Sequence, residues 1–272
     1  MNRVLCSTGT MIGRPNGRDI TLLGRYKDYI ECDGFEFLMY DTWYDRLDDI
    51  RRYMSGLDAL IPSFHVEKSV GELISRNEPG DTKKSLELFE INCRLAQELG
   101  SSKLVLHLWN GIHSDKDIAH NIDCYRYLRD ISDKFGLMLT VENVVCNHKD
   151  PMSNLKSLSD AYPEALFTFD TKMAQFHSQL DKLYDESSNW LAKRIRHVHA
   201  NDYSGGYMDW SNLKTKHIGQ GTVDFKSFFR FMKTIGYTGD FTVEATSFDQ
   251  SGDIDIESLN KSLNAVRKYS EI

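Results

Sequence analysis

Short apolar runs alternate with longer amphipathic runs from one end of this chain to the other. The short runs are RVLCST, GFEFLMY, ALIPSFHV, KLVLHLW, LMLTVEN, ALFTFDT, IRHVHAND and DFTVEAT, each of strand length and rich in β-branched, aromatic or aliphatic residues. Helical patterns lie between them, clearest in DTKKSLELFEINCRLAQELG, DKDIAHNIDCYRYLRDISDKFG and DIESLNKSLNAVRKYSEI. Several open on Asp, Ser or Thr and stop at Gly, and Gly100, Gly136 and Gly236 each follow a helix and precede a strand. Strict alternation of strand and helix predicts a parallel sheet. Eight such units, with no Pro/Gly/Ser-rich linker between halves, predict an α/β chain folded as a single (β/α)8 barrel domain over residues 1–272. The alternative is an open doubly wound sheet, but STGTMIG after the first strand is only a loose relative of the glycine fingerprint such sheets carry.

Parity within the strands sharpens the picture, because successive side chains point to opposite faces. Glu142 shares a face with Thr140 and Met138, against Leu137, Leu139 and Val141. Asp170 goes with Thr168 against Phe167 and Phe169, and Glu244 goes with Thr242 against Phe241, Val243 and Ala245. His107 opposes Leu104, Leu106 and Leu108; His65 opposes Leu60 and Phe64; His197 and His199 share one face, Val198 and Ala200 the other. The apolar face suits a helix layer. The polar residue then faces the barrel axis near the C-terminal strand end, where barrels of this kind carry their chemistry. Positions 142, 170 and 199 are 28 and 29 residues apart, about one βα unit of 30 each. The longer step of 45 from 199 to 244 contains the loop YSGGYMDWSNLKTKHIGQGTVD.

Glu142, Asp170, Glu244, His65, His107 and His199 are thereby expected in one funnel. Carboxylates crowded together resist ionisation. A divalent cation relieves this, and His with Asp or Glu is a usual ligand mixture for Zn2+ or Mn2+. His197, one pleat deeper, is expected behind the ligands. Tyr40, Trp43, Trp109 and Trp210 are candidates either for lining a pocket or for packing. The net charge of −7 and pI of about 5.7 give no general attraction to nucleic acid or anionic lipid. Five cysteines without a C-x-x-C pair, and no apolar run of membrane-spanning length, predict a reduced, soluble, cytoplasmic protein.

The segments LTVEN, FTFDT, HVHANDYSG, HIGQGTVDF and FTVEAT, in this order, resemble the xylose isomerase-like TIM-barrel superfamily over essentially the whole chain. That superfamily includes sugar and sugar-phosphate isomerases and epimerases and the endonuclease IV-type nucleases. The resemblance implies a four-ligand metal site at Glu142, Asp170, His199 and Glu244. It matches His65 and His107 to the extra ligands of the endonuclease branch, which would hold a second metal with Glu142 bridging. It departs from that branch at Met173, where a histidine is usual, and at Leu213 and Thr215, where Asp-x-His is usual.

The resemblance implies a metal-dependent isomerase or epimerase of a small sugar or sugar phosphate, with Glu142 and Glu244 moving the proton and Trp109, His177 and His217 contacting hydroxyls. Its alternative is a two-metal phosphodiesterase or phosphatase of the endonuclease IV type. A third possibility is a barrel that has lost activity and now binds a ligand. The expected partner is a small sugar, with no membrane or nucleic acid, and homo-oligomerisation is left open. Arg14 and Arg18 in the first loop are candidates to meet a phosphate or simply solvated.

Overall fold

The structure, a computed structural model, describes residues 2–249 and 251–271. Eight strands, β1 (Val4–Ser7), β2 (Phe35–Leu38), β3 (Ser63–His65), β4 (Lys103–Leu106), β5 (Met138–Glu142), β6 (Leu166–Asp170), β7 (Ile195–His199) and β8 (Asp240–Val243), follow one another around a closed barrel in chain order. The α-helices are α1 (Thr21–Tyr26), α2 (Leu47–Ser55), α3 (Ser69–Arg76), α4 (Asp81–Glu98), α5 (Ile118–Lys134), α6 (Pro151–Ala161), α7 (Thr171–Phe176), α8 (Asn189–Ala192), α9 (Phe225–Thr234) and α10 (Ile256–Ser270). The (β/α)8 architecture expected from the alternation is the one found.

Caps set several of these helices. Asp117, Asp150, Asp224 and Asp255 accept a hydrogen bond from the backbone N–H three residues on, opening α5, α6, α9 and α10. Such a cap is worth about 1 kcal/mol. Gly100, Gly136 and Gly236, after α4, α5 and α9, take left-handed φ of 76°, 68° and 67°. A side chain is disfavoured in that region, so these helices stop where glycine occurs.

The contacts divide the chain into two compact units. One comprises Met1–Phe37, Leu57–Leu60 and Phe169–Ile272. Here β1 pairs in parallel with β8, Val4 beside Phe241, and with β2, Cys6 beside Phe35, while β7 pairs with β8, His199 beside Thr242. On α9, buried Phe229 packs against Phe241 and Tyr269, buried Phe225 stacks on Tyr269, and buried Phe228 stacks on Phe169. Each such ring contributes about 1.5–3 kcal/mol by leaving water.

The other unit comprises Leu38–Gly56 and Ile61–Thr168. It holds the β3–β4–β5–β6 ladder, with His65 beside Val105, Leu106 beside Val141 and Glu142 beside Thr168. Helix α3 packs so close to the end of β4 that a Cβ on Gly71 would lie 1.9 Å from the carbonyl oxygen of His107. Glycine is required there by the close approach.

Two residues near the strand starts are exposed. Met138 is 39% exposed and Leu60 54%, and Leu60 lies ahead of β3 rather than in it. The alternation is enforced only where both faces are covered, and these residues lie at or before the start of their strands. Among the described residues no helix is long and apolar enough to cross a membrane, and all five cysteines are free.

Candidate metal centre and active site

Three of the expected residues converge within the first unit. Asp170 ends β6, His199 ends β7, and Glu244 directly follows β8. Asp170 is also the N-cap of α7: its Oδ1 accepts the Met173 N–H at 2.8 Å, which turns Oδ2 away from the helix. The Asn201 amide donates to Asp170 Oδ2 at 2.7 Å and to Glu244 Oε2 at 2.8 Å. Its oxygen accepts the Glu244 backbone N–H at 3.1 Å. One amide therefore holds two carboxylates side by side. Thr171 fixes Asn201 in turn, donating from Oγ1 to the Asn201 carbonyl at 2.6 Å and accepting the Asn201 N–H at 2.9 Å.

His199 is oriented by a residue that sequence reasoning missed. Glu36 of β2 is fully buried, with carboxylate oxygens 2.7 Å from His197 Nε2 and 3.0 Å from His199 Nε2. Burial raises the Glu36 carboxyl, but the fields of His199 and His197 and their hydrogen bonds outweigh it and hold the group well below the usual carboxylate range. A carboxylate at Nε2 keeps the proton on that nitrogen. The Nδ1 lone pair of His199 then faces Glu244 Oε2 at 3.3 Å and Asp170 Oδ2 at 4.0 Å. This is the carboxylate–imidazole arrangement that prepares a histidine to bind metal. The signal was present: Glu36 sits between Phe35 and Phe37, with the parity of the chosen residues. His197, expected behind the ligands, is there, 3.0 Å from Thr242 Oγ1.

The second unit carries its own group. His107 Nε2 lies 2.9 Å and His65 Nε2 3.5 Å from the same oxygen, Glu142 Oε2. The two imidazoles meet edge to face, with centroids 4.9 Å apart. His65 Nδ1 is 2.9 Å from the Val66 carbonyl, which can only accept, so Nδ1 carries the proton and the Nε2 lone pair faces Glu142. Burial pushes His107 down to about 4, against the pull of Glu142, which leaves it neutral and able to ligate near pH 7.

Each group brings lone pairs of oxygen and nitrogen together within its own unit, and a cation is what such a donor set suits. Among the described residues no lysine or arginine pairs with Glu244; His199 does. Among the described residues, Glu36–His197–His199 and Asp170–His199–Glu244 in the first unit and His65–His107–Glu142 in the second are candidate metal-ligand groups.

The residues expected to meet substrate hydroxyls are placed differently. Trp109 is fully buried and its indole N–H donates to the Val144 carbonyl at 3.2 Å, the geometry of a packing residue. His177 is buried, with its ring against the edge of Phe176. His217 Nδ1 is 2.9 Å from Ser262 Oγ of α10, and burial lowers its basicity. Tyr40 packs edge-on to buried Trp43, whereas Trp210 is half exposed over Phe176.

Asp202, three residues past His199, has a role the motif concealed. Its carboxylate accepts the backbone N–H groups of Tyr203, Gly219, Gly221 and Val223 at 2.8, 2.9, 2.9 and 3.1 Å. A Cβ on Gly221 would lie 2.3 Å from Asp202 Oδ1. H-x-H-x-x-D and H-I-G-x-G are thus two ends of one clamp.

Known proteins share this architecture. Solved structures of similar fold include D-allulose 3-epimerase from Methylomonas sp. in complex with D-allulose (TM-score 0.69, 17% identity, 98% of this chain and 97% of that one). A D-tagatose 3-epimerase-like protein (TM-score 0.71, 20% identity, 99% and 97%) is another. L-ribulose 3-epimerase (TM-score 0.64, 15% identity, 100% and 92%) is a third. In sequence, uncharacterized protein MJ1311 of Methanocaldococcus jannaschii is 24% identical over 264 residues, spanning 88% of this chain and 81% of the relative. The profile of the family described as xylose isomerase-like TIM barrel matches residues 27–269. The chain belongs to the xylose isomerase-like TIM-barrel family.

Proposed function

We propose that this chain is a divalent-metal-dependent isomerase or epimerase of a small sugar. The observation that carries the reading is the pairing of Asp170 and Glu244 through one Asn201 amide, with the Nδ1 of a Glu36-backed His199 turned toward both. The resemblance of LTVEN to the family's sequences makes Glu142 the fourth ligand. The sugar epimerases among the similar structures support the substrate class.

A bound divalent cation, Zn2+ or Mn2+, supplies positive charge that polarises a carbonyl and steadies negative charge on adjacent oxygens. The protein's own residues do the rest. Glu142 and Glu244 are the acid–base pair: one removes the proton from the carbon beside the carbonyl, and the other returns a proton. Asn201 fixes the Glu244 carboxylate through one oxygen. Glu36, His197 and Thr171 hold the frame. The test is turnover of a ketose panel in deuterated water. Epimerisation with solvent deuterium at the reacting carbon is the expected result. Retention of the substrate hydrogen in every turnover would replace proton transfer with hydride shift.

A second reading is a two-metal phosphoesterase of the endonuclease IV type. It is favoured by His65 and His107 on one Glu142 oxygen, three residues that would hold a second cation able to activate water. Metal content per chain in the wild type and in the His65→Ala/His107→Ala double variant separates the two. About one metal in both supports the single-site epimerase, whereas two falling to one, with cleavage of abasic DNA, supports the hydrolase.

A further inference from the structure

Two residues beyond Asp170 stands Lys172, a lysine that neither the metal ligands nor the acid–base pair use. It is only 8% exposed, and its Nζ makes a 3.0 Å hydrogen bond to Thr215 Oγ1. An ammonium carries three donors and no acceptor. Among the described residues Lys172 has no carboxylate partner and no second hydrogen bond. Burying an ammonium against one neutral hydroxyl is costly, and such lysines are normally paired.

Its position ties it to the site. Lys172 directly follows Thr171, which anchors Asn201. Thr215 precedes Lys216, whose backbone bridges that of Asp202 in both directions, at 3.0 and 3.4 Å. The Lys172–Thr215 contact therefore joins the segments that leave β6 and β7. Thr215 is flanked in sequence by Lys214 and Lys216, and among the described residues neither pairs with a carboxylate.

We propose that Lys172 and Thr215 form an anion subsite that receives the phosphate group of a phosphorylated sugar, so that the substrate is a sugar phosphate rather than a free sugar. This rests on the sugar-isomerase reading for the carbon chain alone; the oxyanion chemistry follows from the lysine. A phosphate oxygen supplies the charged acceptor that the ammonium lacks, and charge-assisted bonds of this kind are about twice as strong as neutral ones. Lys172 is a binding and specificity residue and moves no proton.

The test uses inorganic phosphate as probe, titrated calorimetrically into the full chain in one fixed metal state, for wild type, Lys172→Met and Lys172→Arg. Phosphate affinity is expected to fall by about tenfold or more in Lys172→Met and to be largely retained in Lys172→Arg. If Lys172→Met does not fold, Thr215→Val with Lys172→Arg makes the same comparison. In parallel, kcat and KM are measured with D-allulose and D-allulose 6-phosphate. The wild type should prefer the phosphate ester through KM, and Lys172→Met should lose about tenfold of that preference. Phosphate affinity equal in wild type and Lys172→Met, or a wild-type preference for the free sugar, overturns the subsite. Lys172-dependent phosphate binding without turnover of any ketose would leave the subsite standing and count against the epimerase reading instead.

Discussion

Glu36→Gln isolates the support of His199, the histidine proposed to bind metal, from the proposed ligands themselves. The change keeps the shape of a fully buried side chain and removes its charge. In the wild type the two carboxylate oxygens meet His197 Nε2 at 2.7 Å and His199 Nε2 at 3.0 Å, so both imidazoles face one anion. A glutamine offers one oxygen and one NH2 group. It can accept from only one of the two histidines. The other must turn its lone pair to the amide and move its proton to Nδ1, which for His199 is the nitrogen facing Asp170 and Glu244. Losing a supporting carboxylate of this kind typically weakens metal affinity by about 10- to 100-fold, or about 1.4–2.7 kcal/mol. Losing charge-assisted hydrogen bonds in the interior adds about 1.5–3 kcal/mol of destabilisation that is present without metal. Chelator competition with Zn2+ and Mn2+ measures the first quantity, and denaturant unfolding of the metal-free protein measures the second. Metal affinity within about twofold of wild type in a folded variant would refute the reasoning, since His199 would then need no partner on Nε2.

Three further outcomes follow from particular contacts. Asp202→Ala removes the acceptor of four backbone N–H groups and should cost about 3 kcal/mol or more; a loss below about 1 kcal/mol in urea unfolding would show that the loop holds itself. Gly71→Ala puts a methyl 1.9 Å from the His107 carbonyl oxygen, so α3 must retreat by about 1.5 Å, at a cost of about 1–3 kcal/mol; a melting temperature equal to wild type would contradict that packing. The metal-free protein should lose stability as pH falls. Burial lowers His107 from 6.5 in the unfolded chain to about 4, so the unfolded state binds the extra proton between those values. Its contribution is complete above 6.5 and declines toward pH 4, by about 3 kcal/mol in all. Unfolding measured across that range in wild type and His107→Gln should show a smaller slope in the variant.

Strand and helix order, and the face each strand turns inward, were legible from residue pattern alone. Alternation is a one-dimensional property: Phe167, Phe169, Phe241 and Val243 had to be buried on the outer face whatever the rest of the chain did, which left Asp170 and Glu244 pointing the other way. Near-equal spacing of positions 142, 170 and 199 then put those groups at matching strand ends. Partnership between distant segments was not legible, because hydrogen bonds depend on three-dimensional register that spacing does not encode. Asn201 bridging Asp170 and Glu244, and Asp202 holding Gly219 and Gly221, link positions 17 to 43 residues apart. Glu36 carried the right parity, but only the fold brings β2 to His197 and His199. Trp109 and His217 carried chemistry suited to a sugar, yet packing commits the first to the Val144 carbonyl and the second to Ser262. Local sequence determined which side chains face inward; the tertiary structure decided which atoms they meet.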